Sequence, residues 1–259
     1  VTVNCSSVII PDSWDCDGQG NCNDPGTGNG TYSTYNACIN VCNCIGQALP
    51  LSEGFQNGFS LPFNWSIVNS DNDKTWEITN LAGYNSTSSI YVNNADYTAN
   101  GEVDDLVLST LNLSSSSPVN LSFDYAYSLW TNPTSNPNYS DTLQVWVSSD
   151  CGSTFQKIWE KAGTNLVTTT PVFAESAWIP SSNNDWKSES INLNSYMNQQ
   201  GFILKFRNVT DYENNLFLDN INITGTTISQ SWDCDGQGNC SNPGTGNGQY
   251  SSINDCDLS

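Results

Sequence analysis

The chain has 259 residues, enough for one sandwich-sized domain with additions. Its 26 Asp and Glu face 6 Lys and Arg. The resulting formal charge of −20 repels nucleic acid and anionic lipid and draws divalent cations. There is no histidine, which removes Ser-His-Asp and Cys-His nucleophile pairs, His-ligated zinc and imidazole acid–base chemistry. A carboxylate pair would be the remaining hydrolytic device, and no enzyme activity is expected. No apolar run approaches the roughly 20 residues that cross a bilayer, so membrane insertion is not expected either.

Residues 1–46 read as a small Cys- and Gly-rich knob. The ten cysteines are clustered, with six in 5–44, Cys151 alone, and three in 234–256. Such density in polar, Gly-rich sequence points to disulfides and an oxidising, extracellular setting. A structural zinc site would call for CxxC knuckles, and the sequence has none. Residues 13–22, SWDCDGQGNC, recur unchanged at 231–240. The match continues through PGTGNG at 25–30 and 243–248, Tyr32 and Tyr250, and Cys38 and Cys256, at a constant offset of 218 residues. Residues 227–259 are therefore a second, truncated knob. The counterpart of Cys42 would fall just after Ser259, so the polypeptide is expected to continue, with the knob-and-sandwich unit recurring in a repetitive array.

The expected half-cystines of the knobs are Cys16, Cys22, Cys38 and Cys42 in the first, and Cys234, Cys240 and Cys256 in the second. Cys5, Cys44 and Cys151 remain: Cys44 could reach Cys151, or Cys5 could pair with Cys44 and leave Cys151 as a buried thiol. The D-x-D-G of each knob, Asp15 and Asp17 in the first and Asp233 and Asp235 in the second, begins like a calcium loop. No Glu stands at the twelfth position, and a disulfide-stapled turn with Asx bonds is the competing reading.

Residues 47–226 read as all-β. Short alternating or apolar segments rich in aromatic and β-branched residues are separated by Asn, Ser, Gly and Pro. The clearest are 119–127 (VNLSFDYAY), 142–148 (TLQVWVS), 202–207 (FILKFR) and 216–223 (LFLDNINI). No long segment holds a helical apolar period, so two packed antiparallel sheets are expected. Glu102-Val103-Asp104 begins like the E-x-D-x-x-E strand of some jelly-roll glucanases but lacks the second Glu. It reads as a loop entering a strand. Trp130 and Trp178 lie in Pro- and Asn-rich stretches, where a sugar ring could stack or where the indoles could pack beneath loops.

Seven stretches in order carry a family resemblance: SEGFQNGFSLPFNW (52–65), DNDKTW (71–76), DDLVLSTLNL (104–113), LSFDYAY (121–127), DTLQVWVSSDCGSTF (141–155), DWKSESINL (185–193) and NNLFLDNINI (214–223). Together they resemble the cleaved-adhesin or choice-of-anchor J domains of Bacteroidota surface proteins, relatives of the MAM-like jelly rolls. The resemblance implies an all-β jelly-roll β-sandwich with small disulfide-rich flanking units. It implies a secreted, non-catalytic adhesion or structural module of a cell-surface or filament protein. Its partners would be glycans, surface proteins or neighbouring copies of the same chain. The alternative is an accessory carbohydrate- or protein-binding module of a secreted hydrolase. It also implies structural Ca²⁺, with Glu53, Asp105 and Asp219 as ligand candidates and Asp71 and Asp73, in the turn before Trp76, as further ones.

Overall fold

The computed structural model describes residues 11–16, 22–42, 44, 46–135, 139–227, 231–235, 239–243 and 246–257. The chain forms two compact units, Val1–Gly46 and Gln47–Ser259.

The first knob is a minimal ribbon closed by a helix. β1 (Asp15–Cys16) pairs antiparallel with β2 (Cys22–Asn23), and α1 (Tyr35–Cys42) follows. Too few apolar residues are present for a core, so polar clamps and a cross-link hold it. Trp14 and Tyr32 exchange backbone bonds of 2.8 and 2.9 Å. Gly30 donates its N–H to Ser13 Oγ at 2.8 Å. A Cβ on Gly30 would lie 2.5 Å from Trp14 N, which is why the PGTGNG turn ends on glycine. Thr34 caps α1, its Oγ1 accepting the Ala37 N–H at 3.1 Å. The Cys22–Cys38 disulfide closes a 16-residue span, a constraint that stabilises by about 3 kcal/mol.

The sandwich begins with β3 (Gln47–Ala48), β4 (Leu51–Glu53), β5 (Ser66–Asn69), β6 (Trp76–Thr79) and β7 (Ser89–Val92). It continues with β8 (Val103–Val107), β9 (Leu111–Asn112), β10 (Ser116–Tyr127), β11 (Thr142–Ser148) and β12 (Gln156–Ala162). β13 (Lys187–Asn192), β14 (Ile203–Val209) and β15 (Leu216–Thr227) complete it. One sheet runs β13-β10-β15-β7-β6, with β4 also paired to β15; the other runs β12-β11-β14-β8-β5. The two long sheets are antiparallel throughout. This is a jelly-roll sandwich.

The inner faces follow the period of two. Val119, Leu121, Phe123, Tyr125 and Tyr127 of β10 meet Leu143, Val145 and Val147 of β11 and Leu204 and Phe206 of β14 in one buried cluster. β15 keeps Leu216 and Leu218 inward, then Ile221 and Ile223. The change of parity is a β-bulge: between Ser122 and Asp124 of β10, β15 carries one residue more, and Asn220 sits there at φ 47°. On the outer face of the same sheet a second small cluster forms from Tyr91, Ala126, Trp186 and Phe217.

The second knob repeats the first. β16 (Asp233–Cys234) pairs with β17 (Cys240–Ser241), and α2 (Ile253–Asp257) follows. Trp232 bridges to Tyr250, and Gly248 donates to Ser231 Oγ. Cys240 is bonded to Cys256 across the same 16-residue span.

Candidate functional site

The inner face of the β11-β14-β8 sheet turns polar at one end. Asp104 on β8 lies opposite Asn208 on β14, and both are fully buried. Asn208 and Asn94 exchange two amide bonds of 3.0 Å. Asn94 also donates to Asp141 Oδ2 at 3.0 Å, and Asp211 N–H donates to Asp141 Oδ1 at 2.5 Å. Burial pushes the Asp141 carboxyl up to about 7, against the Asp211 donation, and the nearby Glu213 charge raises it further.

The segment 210–215, TDYENN, between β14 and β15 organises the loops around this end. Glu213 is buried, and both of its oxygens accept hydrogen bonds. Oε2 receives the Trp130 and Thr131 N–H groups and Oε1 the Thr131 hydroxyl. Burial raises the Glu213 carboxyl, and the Thr131 donations oppose that. Asp211 accepts the Ser140 N–H at 2.9 Å. Asn214 holds the 174–178 stretch through Ala174 O, Ser176 O and the Trp178 N–H. Asn215 joins Ala95 to Trp178. Four polar side chains thus tie three separate loops to one turn.

These ties shape a cleft of about 140 Å³ lined by Asn94, Tyr97, Trp130, Tyr212 and Glu213, with Ala95 and Thr98. Tyr212 is 52% exposed and sits at φ 68°, a left-handed conformation costly for a bulky residue. Tyr139 stands beside it, ring centroids 5.7 Å apart. Aromatic walls with a few fixed polar groups suit a ring carrying hydroxyls. Two other aromatics stand further out in solvent: Phe59 at 73% and Phe63 at 87% exposure, in the loop between β4 and β5.

The sequence candidates are distributed as follows. Trp130 lines the cleft. Trp178 packs edge-on against Phe217, centroids 6.3 Å apart, and belongs to the outer-face cluster. Of the sandwich carboxylates expected to share a cation, Asp105 stands on a different sheet from Glu53 and Asp219. Glu53 and Asp219 lie on the β4–β15 side. Asp105 lies on the other sheet, bonded to Lys205 at 2.7 Å and to Arg207 at 2.6 and 2.9 Å. Burial disfavours its charge, but Arg207 and Lys205 hold its carboxyl below the usual range. That carboxylate is already neutralised. Arg207 and Lys205 also face the Trp146 ring. Asp219 braces 84–86 through the Tyr84 N–H at 2.8 Å and the Ser86 hydroxyl at 3.1 Å. Glu53 caps its own turn at Phe55 N–H. Asp71 accepts the Tyr97 hydroxyl at 2.7 Å, and Asp73 N–H folds back to Asp71 at 3.2 Å.

In the knobs, Asp15 accepts the Thr31 N–H and hydroxyl at 2.7 and 2.8 Å. Asp233 accepts the Gln249 N–H at 2.8 Å. Asp235 closes onto Asn239 at 3.1 and 2.8 Å. Asp15 and Asp233 thus tie segments 16 residues apart, Asp235 braces its own turn, and Asp17 lies outside the described residues. Cys42, Cys44 and Cys151 are disulfide-bonded, so Cys151 is not a free thiol. The sulfurs of Cys22, Cys38 and Cys42 lie within 4.8 Å of one another. Oxidised sulfur does not ligate zinc, which needs thiolate. In the second knob Cys240 and Cys256 are bonded to each other, and Cys234 is in no disulfide within residues 1–259. The side chain of Cys16 and all of Cys5 lie outside the described residues.

Residues 47–227 thus define a jelly-roll module with a polar, aromatic-lined end. No protein-family model matches the chain, and no curated protein matches it significantly in sequence. Among solved structures, the K1 cleaved adhesin domain of Lys-gingipain from Porphyromonas gingivalis W83 is similar at 22% identity and a TM-score of 0.50. That match covers 69% of this chain and 99% of that one. The K3 domain of Lys-gingipain from the same strain matches at 20% identity and a TM-score of 0.45, over 67% of this chain and 97% of its own. The K2 domain of Lys-gingipain matches at 14% identity and 0.47, over 68% and 97%. The sandwich shares its fold with the cleaved adhesin domain, the same family that its sequence resembles. Among the described residues no helix is long and apolar enough to cross a membrane.

Proposed function

We propose that the chain is a non-catalytic extracellular binding module of a surface adhesin, and that the sandwich takes a neutral glycan at the Trp130–Tyr212 cleft. The observation that carries this reading is the cleft itself: an exposed Tyr212 and a half-buried Trp130 on loops pinned by Glu213, Asn214 and Asn215. A preorganised site loses little entropy on binding. The charge of −20 selects against anionic polysaccharides, so the ligand class is neutral sugar. Glu213, the carboxylate in the cleft, already accepts three hydrogen bonds, so its role is to hold the loop rather than to move protons. The cross-linked knobs suit an oxidising exterior and would act as short, stiff spacers.

The test is binding to an array of neutral and anionic glycans, followed by calorimetric titration of the hits. Trp130→Ala and Tyr212→Ala should each weaken a neutral ligand at least about tenfold, with the melting temperature nearly unchanged. Retention of affinity in both variants, or a preference for anionic glycans, overturns the reading.

A further inference from the structure

A sheet edge exposes a row of unpaired N–H and C=O groups, and soluble proteins shield such edges with charged side chains. In the two long sheets β13, β6, β4, β12 and β5 lie at edges. Four of them follow that rule. β13 carries Lys187 and Glu189, β12 carries Lys157, Glu160 and Lys161, β6 carries Glu77 and β4 carries Glu53. β5 carries no charge and reads Ser66-Ile67-Val68-Asn69. It pairs with β8 along one side. Among the described residues, none of its N–H or C=O groups makes a backbone bond outside that ladder. Val68 is 49% exposed.

The loop that leads into β5 has the same character. Residues 54–70 contain no charged side chain, in a chain with a formal charge of −20. The base of the loop is fixed. Phe55 and Trp65 are buried with ring centroids 6.1 Å apart, and the Trp65 N–H donates to Pro62 O at 3.0 Å. The tip carries Phe59 and Phe63, the two most exposed of the large apolar side chains. An anchored loop that holds two phenylalanines in water, joined to an open neutral edge, is the pattern of an interaction surface.

The charge distribution selects the occupant. A basic partner would be drawn to the acidic surface elsewhere, whereas a neutral strand is where a second acidic body approaches at least Coulombic cost. The strand is also self-complementary. A two-fold axis normal to the sheet keeps like faces together, so Val68 can stand opposite its own copy with Ile67 opposite Asn69. β-branched side chains then meet across the junction. Equivalent pairing at β4 or β6 would bring a carboxylate, Glu53 or Glu77, close to its own copy.

We propose that β5 is a self-association edge. Two copies of this chain pair β5 to β5, antiparallel, and so join their β12-β11-β14-β8-β5 sheets into one, with the Phe59 and Phe63 loops flanking the junction. The cleft residues lie outside 54–70, so this surface is independent of the glycan reading. A junction this small gives a weak, concentration-dependent dimer. Salt screens the repulsion between two acidic bodies, so the dimer strengthens as ionic strength rises.

The test is sedimentation velocity of the whole chain across concentration and salt, with Cys234 alkylated to exclude an intermolecular disulfide, together with amide hydrogen exchange. The sedimenting species should move from one chain toward two with concentration, more readily in high salt, and the amides of 66–69 should gain protection as it does. Val68→Lys should weaken dimerisation at least about tenfold. Phe63→Ser should weaken it less, and Gln156→Lys, on the β12 edge, should leave it unchanged. A chain that stays monomeric up to about 1 mM overturns the proposal. So does a dimer that survives Val68→Lys, that Gln156→Lys dissociates, or that leaves 66–69 unprotected. Should Val68→Lys fail to fold, Ser66→Lys reads the same edge at an exposed position, and undiminished dimerisation there overturns it.

Discussion

Asp104 and Glu213 are both carboxylates buried at the polar end of one sandwich, and their surroundings are opposite. Glu213 collects two backbone N–H groups and a hydroxyl from 130–131. Asp104 collects nothing, although hydroxyls stand beside it. The first pattern is that of a structural organiser, whose charge is solvated by the protein. The second is a carboxyl that burial pushes up to about 6, toward its neutral form. Asn208 and Asn94 lie between the two regions, joined to each other by a double amide bond and to Asp141 by a third. Burial alone does not distinguish a loop anchor from a carboxyl that anchors nothing. The count of donors already engaged does.

The largest expected effect breaks the organiser side. Glu213→Ala removes the acceptor for three donors and should cost about 2–4 kcal/mol, read by urea unfolding, with glycan binding lost. A cost below about 1 kcal/mol would show that the 130–131 loop is held by something else.

The next effect is pH dependence. Burial pushes Asp141 up to about 7 and Asp219 up to about 6. Both lie above the roughly 3.9 of an unfolded chain. The folded state therefore binds more protons between about pH 4 and pH 7, and stability falls as pH rises through that window. In chelator the chain should melt higher at pH 5 than at pH 8, and Asp141→Asn should flatten the slope. Hydrogen-bonded or ion-paired acids work in the other direction. Asp150, held at about 2 by Thr154 and Ser148, and Asp105 lose their contribution only in more acidic solution. A melting temperature that climbs from pH 5 to pH 8 would contradict the assignment.

The smallest effect sharpens the cleft. Tyr212→Gly relieves a left-handed backbone and should stabilise by about 1 kcal/mol or less. It should also weaken the glycan, separating the ring's role in binding from its strain. Equal binding by Tyr212→Gly would place the ligand elsewhere.

Much of the architecture was legible in the sequence because it rests on local pattern. The expected segments 119–127, 142–148, 202–207 and 216–223 correspond to β10 at Ser116–Tyr127, β11 at Thr142–Ser148, β14 at Ile203–Val209 and β15 at Leu216–Thr227. The duplicated SWDCDGQGNC motif reappears as duplicated hydrogen bonds, Gly30 to Ser13 and Gly248 to Ser231. The site was less legible. Asp104 and Asp105 are adjacent, and only the register of β8 against β14 decides which faces inward, since a shift of one residue exchanges the faces. The resemblance pointed to Asp105. Its pairing with Lys205 and Arg207, two residues apart and so on one face of β14, could have been read from the alternation of FILKFR. Glu213, Asn214 and Asn215 read as ordinary turn residues, because their inward hydrogen bonds join segments up to 120 residues apart.

Calorimetric titration of a neutral oligosaccharide into the parent chain and into Glu213→Ala tests the contrast between Asp104 and Glu213 directly. The account predicts binding by the parent and its loss in Glu213→Ala, because the 130–131 loop is no longer held in place. Undiminished binding by Glu213→Ala would contradict the account.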